Sequence, residues 1–284
     1  MSYRESIIME KKPKYIFVKP KSICKDLNEW EKSILLLNKM DFAKAYKENI
    51  QAEISSHGLF LRMAEIKDID PVYNFIITRY TKEYLEDVSR YDIFRFIEYG
   101  HGLIIEDAHQ QILGCLFEVG YEKDHKKISY SIRLGVDESL KGKGLGRLLT
   151  VYPCLLAMER GMHVKIGLID FNNFLSLHIH VNQVGWLIDS FYDNLDSLGL
   201  SFEFSLPLTP EGILANRIDL DKVQSYVAGH LEGIDYLLIR SNDIETIKTV
   251  YKNRSFKIAA IISPKQKETI PTFFALPVEM FYTK

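Results

Sequence analysis

What this sequence lacks narrows its class before any motif is read. No apolar run approaches the roughly 18 residues that cross a bilayer, so no membrane partner is expected. Cysteine is scarce: Cys24, Cys115 and Cys154 form an odd set without paired spacing. That excludes a disulfide framework and points to a reducing compartment. No Cys/His spacing suited to zinc occurs, and no metal is expected. The start, MSYRESIIMEKKPKYIF, turns charged too early for the roughly 7–15-residue apolar core of a signal peptide, so a cytoplasmic location is expected. An excess of either charge is also missing. With 36 Lys and Arg against 38 Asp and Glu, the formal net charge is -2, and bulk charge gives no reason to expect a nucleic-acid partner.

What is present is ordinary core-forming material, 46% hydrophobic and 26% charged over 284 residues, enough for one large domain or two modest ones. Residues 1–57 read as an extension: a strand at KYIFVKP, then one helix over DLNEWEKSILLLNKMDFAKAYKENIQAEISS. Its apolar residues Trp30, Ile34, Leu35, Leu37 and Phe42 recur at helical spacing, and Gly58 ends it. LFLRMAEI alternates as a strand, and DIDPVYNFIITRYTKEYL reads as a helix with Pro71 in its first turn. GHGLIIED, QILGCLFEVGYE and ISYSIRLGV are strand-like. LLTVYPCLLAMERG is a helix closed by Gly161, with Pro153 expected to kink it. HVKIGLID is a short buried-type strand, and NNFLSLHIHVNQVGW a helix ending at Gly185. The order describes a mixed α/β domain over 58–192. A joint at PLTPEG, a turn, lies in a second α/β region over 193–284, with a helix at DLDKVQSYVAGH, a strand at DYLLIRS, a helix at DIETIKTVYKNR and a final strand pair.

One stretch asks for a reason of its own. DESLKGKGLGRLL, residues 137–149, spends three glycines where each costs a helix interior about 0.8–1.0 kcal/mol relative to alanine. A pyrophosphate needs several backbone N–H groups aimed at one spot, and glycines at a helix start supply them without a Cβ in the way. Gly142, Gly144 and Gly146 would keep the turn bare, while Lys141, Lys143 and Arg147 add charge. The P-loop pattern is absent, and the dinucleotide fingerprint fails because the spacing is G-x-G-x-G. A basic surface turn is the plainer alternative.

GVDESLKGKGLGRLL resembles the acyl-CoA-binding motif of the GNAT superfamily of N-acetyltransferases, in which a strand runs into [QR]-x-x-G-x-[GA] at a helix start. Lys141 stands where Gln or Arg is usual, and Gly144 and Gly146 take the two small places. The resemblance implies that amides from Lys141 through Gly142, Lys143, Gly144 and Leu145 to Gly146 hold the coenzyme A pyrophosphate, with Arg147 beside them. It implies acetyl-CoA as co-substrate and a primary amine of a small molecule or peptide as acceptor. It also implies two splayed central strands, with a backbone N–H donor to the thioester carbonyl within Leu134, Gly135 and Val136. A second family signature appears as Asn173, Ser176, His180 and Gly185-Trp186, with one extra residue before Gly185. Asn173 and Ser176 are thereby implied as coenzyme contacts. Counted from Ser176, His180 takes the place of the usual tyrosine; counted back from Gly185, Val181 does.

Acyl transfer from a thioester to an amine calls for a base, an oxyanion donor and an acid for the leaving thiolate. Glu118 interrupts an apolar strand and is the candidate base, the alternative being a solvent-facing position on an alternating strand. His180 is the candidate acid, with Tyr130 and Tyr152 as further candidates. His178 and His180 cannot share a helix face. DYLLIRSNDIETIKTVYKNRSFKIA is similar to the last strand–helix–strand of a GNAT domain, with Tyr251 and Ser255-Phe256 in matching places but no glycine loop. It reads either as a degenerate second half covering one end of the cleft, completed by residues 1–57, or as an ordinary unit. The sequence therefore reads as an N-acetyltransferase, with a longer-chain acyltransferase or a non-catalytic acyl-CoA sensor as alternatives.

Overall fold

Seven mostly apolar segments build one large sheet: β1 (Phe60–Met63), β2 (His101–Glu106), β3 (Ile112–Lys123), β4 (Lys126–Val136), β5 (Val164–Asp170), β6 (Leu187–Leu195) and β7 (Gly199–Pro207). The structure is a computed structural model and describes residues 19–78, 89–140, 142–195, 199–228, 235–262 and 270–281. Lys141, most of the strand expected at KYIFVKP and the end of the helix expected over 68–85 lie outside the described residues. The helices are α1 (Glu29–Ile34), α2 (Lys39–Ser56), α3 (Ile69–Ile77), α4 (Arg90–Tyr99), α5 (Leu145–Glu159), α6 (Phe174–Leu177), α7 (Pro210–Leu214), α8 (Leu220–Val227) and α9 (Ile244–Asn253).

The strands lie in the order β1-β2-β3-β4-β5-β7-β6. Neighbours are antiparallel except β4 and β5, which run parallel and so need a crossover, supplied by α5. The domain limit expected at 192 needs correcting. It falls inside β6, and β7 then inserts between β5 and β6, pairing from Val164↔Pro207 to Asp170↔Ser201. The ladder of β5 would be half unmade without it. Both faces of the sheet are covered. Cys115 and Phe117 pack with Val72, Phe75 and Ile93 on one face, while Leu103 and Ile105 join α2 and α5 on the other.

The single helix expected before Gly58 is two. Asn28 accepts from the Glu31 N–H and Asn38 from those of Met40 and Asp41, so each asparagine starts a helix and the chain turns between them. Phe42, Tyr46, Ile50 and Ile54 of α2 are buried at four-residue spacing. They hold α2 antiparallel along α5, where Lys47 meets Glu159 at 2.6 Å and Glu53 meets Arg147 at 3.1 Å. The expected turn at TPEG opens α7, with Thr209 capping Gly212 and Pro210 in the first turn. Pro153 lies inside α5 without ending it. Among the described residues no helix is long and apolar enough to cross a membrane. The three cysteines are buried free thiols, and burial pushes Cys115 and Cys154 up to about 12.

The C-terminal region forms a second sheet of β8 (Leu237–Arg240), β9 (Phe256–Ile262) and β10 (Thr272–Pro277), ordered β8-β10-β9. This repeats the β5-β7-β6 arrangement: two strands joined by a helix, with the third inserted antiparallel between them. Local details repeat too. Asn173 caps the Ser176 N–H as Asp243 caps that of Thr246, and the helices close on left-handed residues, Gly185 at φ 92° and Arg254 at φ 52°.

One buried side chain docks this unit. The Asn182 carboxamide donates to the Ile261 carbonyl at 2.7 Å and accepts from its N–H at 3.0 Å, pairing with β9 as a strand would. Asn182→Ala leaves both backbone groups of Ile261 without these partners. It is expected to cost about 2–3 kcal/mol, measured as a lower urea midpoint; an unchanged midpoint would show that the dock is dispensable.

Candidate functional site

The site begins where β4 and β5 part. Their ladder holds only three pairs, Ile128↔Val164, Ser129↔Lys165 and Tyr130↔Ile166. Beyond Tyr130 the strands diverge, β4 running to Val136 alongside β3 and β5 to Asp170 alongside β7. The register against β3 jumps between Cys115↔Gly135 and Phe117↔Ile132, so β4 carries one extra residue there. Such a bulge bends a strand, and here it turns β4 away from β5. Leu134, Gly135 and Val136 therefore line the open part of the gap. Gly135 is small for a packing reason: a Cβ would stand 3.1 Å from the Phe75 ring.

The glycine loop caps the open end. A 3-10 turn at Glu138–Leu140 leads into Gly142 (φ 80°) and Gly144 (φ 74°), the latter the N-cap of α5. Both conformations favour glycine, and a Cβ at either would meet open space. The N-terminus of α5 has no side-chain cap and no acid in its first turn, so its N–H groups and positive dipole end are unanswered by any side chain there. Lys143 is exposed, while Leu145 is buried in the core. Gly146 does not clear space for an anion as expected. A Cβ there would lie 3.0 Å from Ile179, so this glycine lets α5 approach the helix after β5. Arg147 turns aside to Glu53, both carboxylate oxygens lying within 3.2 Å of its Nη2.

That second helix explains the extra residue in the sequence. After α6 the chain continues as a π-helix over His178–Val184, whose wider turns absorb an insertion. Both residues competing for the tyrosine place point inward. Val181 is fully buried. The His180 ring packs edge-on to Trp186 at 5.1 Å, and its Nδ1 lies 2.8 Å from the Ser176 carbonyl. Burial lowers the His180 pKa to about 4, so the ring is neutral at pH 7. The expected acid is thus a core imidazole, enclosed because the π-helix turns it toward Trp186. Asn173 and Ser176 are linked to each other, the Asn173 carboxamide oxygen serving as the helix cap.

Glu118 is likewise corrected. It is neither a free base nor solvent-facing, being 1% exposed. One carboxylate oxygen accepts from Arg160, and the other from Lys165 Nζ at 2.5 Å and Ser129 Oγ at 3.0 Å. Three donors therefore hold this carboxylate, two of them cations. Burial also pushes the Arg160 guanidinium down to about 10. Neither cation was anticipated from the sequence, although a lysine inside the apolar strand HVKIGLID is the signal that a carboxylate must lie nearby. Tyr130 is the one expected catalytic residue at the fork itself, in the last pair before the strands separate. Tyr152 is on α5, where its hydroxyl accepts from Gln51 at 3.0 Å.

Two polar atoms near the fork are buried without a partner: Ser131 Oγ, in the first residue of β4 past the last β5 pair, and Trp186 Nε1. A cleft of about 600 Å3 opens beside Gly144 and Arg147. No group of three or more His, Cys, Asp or Glu side chains among the described residues is arranged to hold a metal.

No protein-family model matches the sequence, and no curated protein sequence is detectably similar to it. Solved structures are similar in shape. A chain of the NatC complex, crystallised with Gag peptide and CoA, aligns over 53% of this chain and 99% of its own, with 15% identity and a TM-score of 0.47. A probable acetyltransferase from Staphylococcus epidermidis covers the same shares with 14% identity and a TM-score of 0.47. The ribosomal-protein-S18-alanine N-acetyltransferase from Escherichia coli covers 53% of this chain and 94% of its own, with 13% identity and a TM-score of 0.43. The splay of two central strands, here β4 and β5, is what the GNAT resemblance implies. The fold class is the mixed α/β sheet expected from the acyl-CoA N-acyltransferase resemblance. Outside the large sheet and its crossovers lie α1, α2 and the β8-β10-β9 sheet.

Proposed function

We propose that this chain is a GNAT-type N-acyltransferase that takes acetyl-CoA and acylates a primary amine of a small molecule or peptide in the cytoplasm. The observation that carries the reading is the fork: two parallel strands that part after three pairs, with a bare left-handed glycine loop at their open end. The residues present fit an acyl-CoA. The loop gives a phosphate close access to backbone N–H groups of Gly142 and of 144–146, that of Lys143 donating to the Leu140 carbonyl, and the unpartnered Ser131 hydroxyl is a polar group for the pantetheine arm to satisfy. Backbone in Leu134–Val136 would polarise the acyl carbonyl. When bound, the thioester supplies the activated acyl group, and amide formation releases a thiol.

With Glu118 and His180 committed to the core, Tyr130 is the side chain left at the fork to handle a proton. That same commitment favours one second reading, an acyl-CoA sensor without turnover. Calorimetry with CoA on the full chain tests binding, and Gly144→Val is expected to weaken it at least tenfold by placing a branched side chain at a left-handed loop position. Thiol release with a panel of amines then separates enzyme from sensor. Absence of CoA binding would sink both readings.

A further inference from the structure

The cleft beside the glycine loop is lined by Lys25, Trp30, Tyr46, Gly144, Arg147 and Arg217 among others, and its volume of about 600 Å3 lies within the roughly 300–1,000 Å3 of small-ligand sites. Its walls come from four parts of the chain, one of them Gln183 in the π-helix. Lys25 and Trp30 precede the large sheet, Gly144 and Arg147 open α5, and Arg217 follows α7. Gly144, Arg147 and Gln183 belong to crossovers of the large sheet, and the other lining residues lie outside it.

The charges are arranged in advance. Arg147 faces Glu53 at 3.1 Å, and Arg217 faces Glu31 at 2.7 Å. Glu31 is itself fixed by the Asn28 N–H at 3.0 Å. Lys25 makes no ion pair among the described residues. Three cations against two carboxylates leave the cleft one positive charge, at its exposed rim. Two aromatic rings complete it, Trp30 meeting Tyr46 edge-on at 5.6 Å with Trp30 still 37% exposed. Surplus positive charge beside part-exposed aromatic surface suits a phosphorylated nucleoside: guanidinium groups match phosphate geometry, and any base can stack on an aromatic face.

We propose that this cleft takes the nucleotide end of a coenzyme A thioester, Trp30, braced edge-on by the buried Tyr46, stacking on the purine while Lys25, Arg147 and Arg217 face the ribose 3′-phosphate. The proposal rests on the acyl-CoA reading of the glycine loop, and Gly144 belongs to both loop and cleft. It gives the segment before the acyltransferase fold a purpose: selection of a 3′-phosphorylated donor.

The test is calorimetry on the full chain with two probes, CoA and 3′-dephospho-CoA. The wild type is expected to bind CoA at least tenfold more tightly. Lys25→Gln, at an exposed position that leaves the fold intact, is expected to reduce that preference about threefold, and Lys25→Gln with Arg217→Gln to bring it close to one. Trp30 fluorescence gives an independent readout. It is expected to be quenched by CoA and unmoved by 4′-phosphopantetheine, with Trp30→Phe removing the signal. Equal wild-type affinity for CoA and 3′-dephospho-CoA, or a preference unmoved in Lys25→Gln, overturns the assignment of the cleft while leaving the acyl-CoA reading standing. Failure of both probes to bind the wild type overturns that reading and the cleft with it.

Discussion

Glu118→Gln is expected to lower the stability of the fold by about 3–5 kcal/mol, the range for removing one partner of a buried ion pair. The reason is the company the carboxylate keeps. Lys165 is fully buried and its ammonium is 2.5 Å from Glu118. Arg160, part-exposed, holds the other oxygen, so a neutral amide would leave the buried ammonium beside a second cation without a counter-charge. For a domain of this size the loss lowers Tm by on the order of 10 °C. Urea or thermal denaturation measures it, and the double variant Glu118→Leu with Lys165→Met is expected to recover most of the deficit, because an apolar pair can replace a buried ionic one. A Glu118→Gln protein with unchanged midpoint and lost turnover would return Glu118 to the mechanism.

Raising the pH from 7 to 8.5 is expected to stabilise the protein through Lys19. This lysine is 2% exposed, its Nζ donates to the Val181 carbonyl at 2.5 Å, and burial lowers its pKa to about 7. The unfolded chain holds the same proton up to the ordinary lysine value of 10.5. Between those values the unfolded state binds more protons, so stability rises with pH, by at most about 1.4 kcal/mol per unit. It is fully present above 10.5 and lost as the pH falls to 7. Chemical denaturation of wild type and Lys19→Met at several pH values isolates the effect, since the variant should lose the slope and be the more stable at pH 7. Parallel curves would show that Lys19 does not fold uncharged. His180 acts in a separate acid window. Its folded value of about 4 against 6.5 removes stability as the pH falls through that range.

The elements were legible where period and punctuation agreed. Apolar runs bounded by polar turns marked β1 to β5, and the glycine loop was visible because no helix would accept G-x-G-x-G without a reason. The site was less so. Glu118 could not be placed from its strand because both faces of the sheet are covered, which erases the alternation that tells inside from outside. Its partners lie 42 and 47 residues away, beyond any local pattern. The π-helix showed only as one residue too many before Gly185, a count that says something must bulge without saying which side chain moves inward. Gly146 carried the same letter as Gly144 and a different duty, which only the position of Ile179 reveals. The cleft is not legible in the sequence because Lys25, Trp30 and Arg217 are unremarkable until the fold brings them to Arg147.

The antiparallel contact between α2 and α5 also has a consequence on the clock of synthesis. Its partners, Glu53 with Arg147 and Lys47 with Glu159, are 94 and 112 residues apart. A ribosome adding roughly 5–20 residues per second leaves α2 outside for about 5–20 s before α5 emerges. Throughout that interval the stripe of Phe42, Tyr46, Ile50 and Ile54 has no partner helix to cover it. The nascent chain therefore passes through a stage in which a sticky helix must wait or be shielded, and the same helix becomes one wall of the cleft only when α5 arrives.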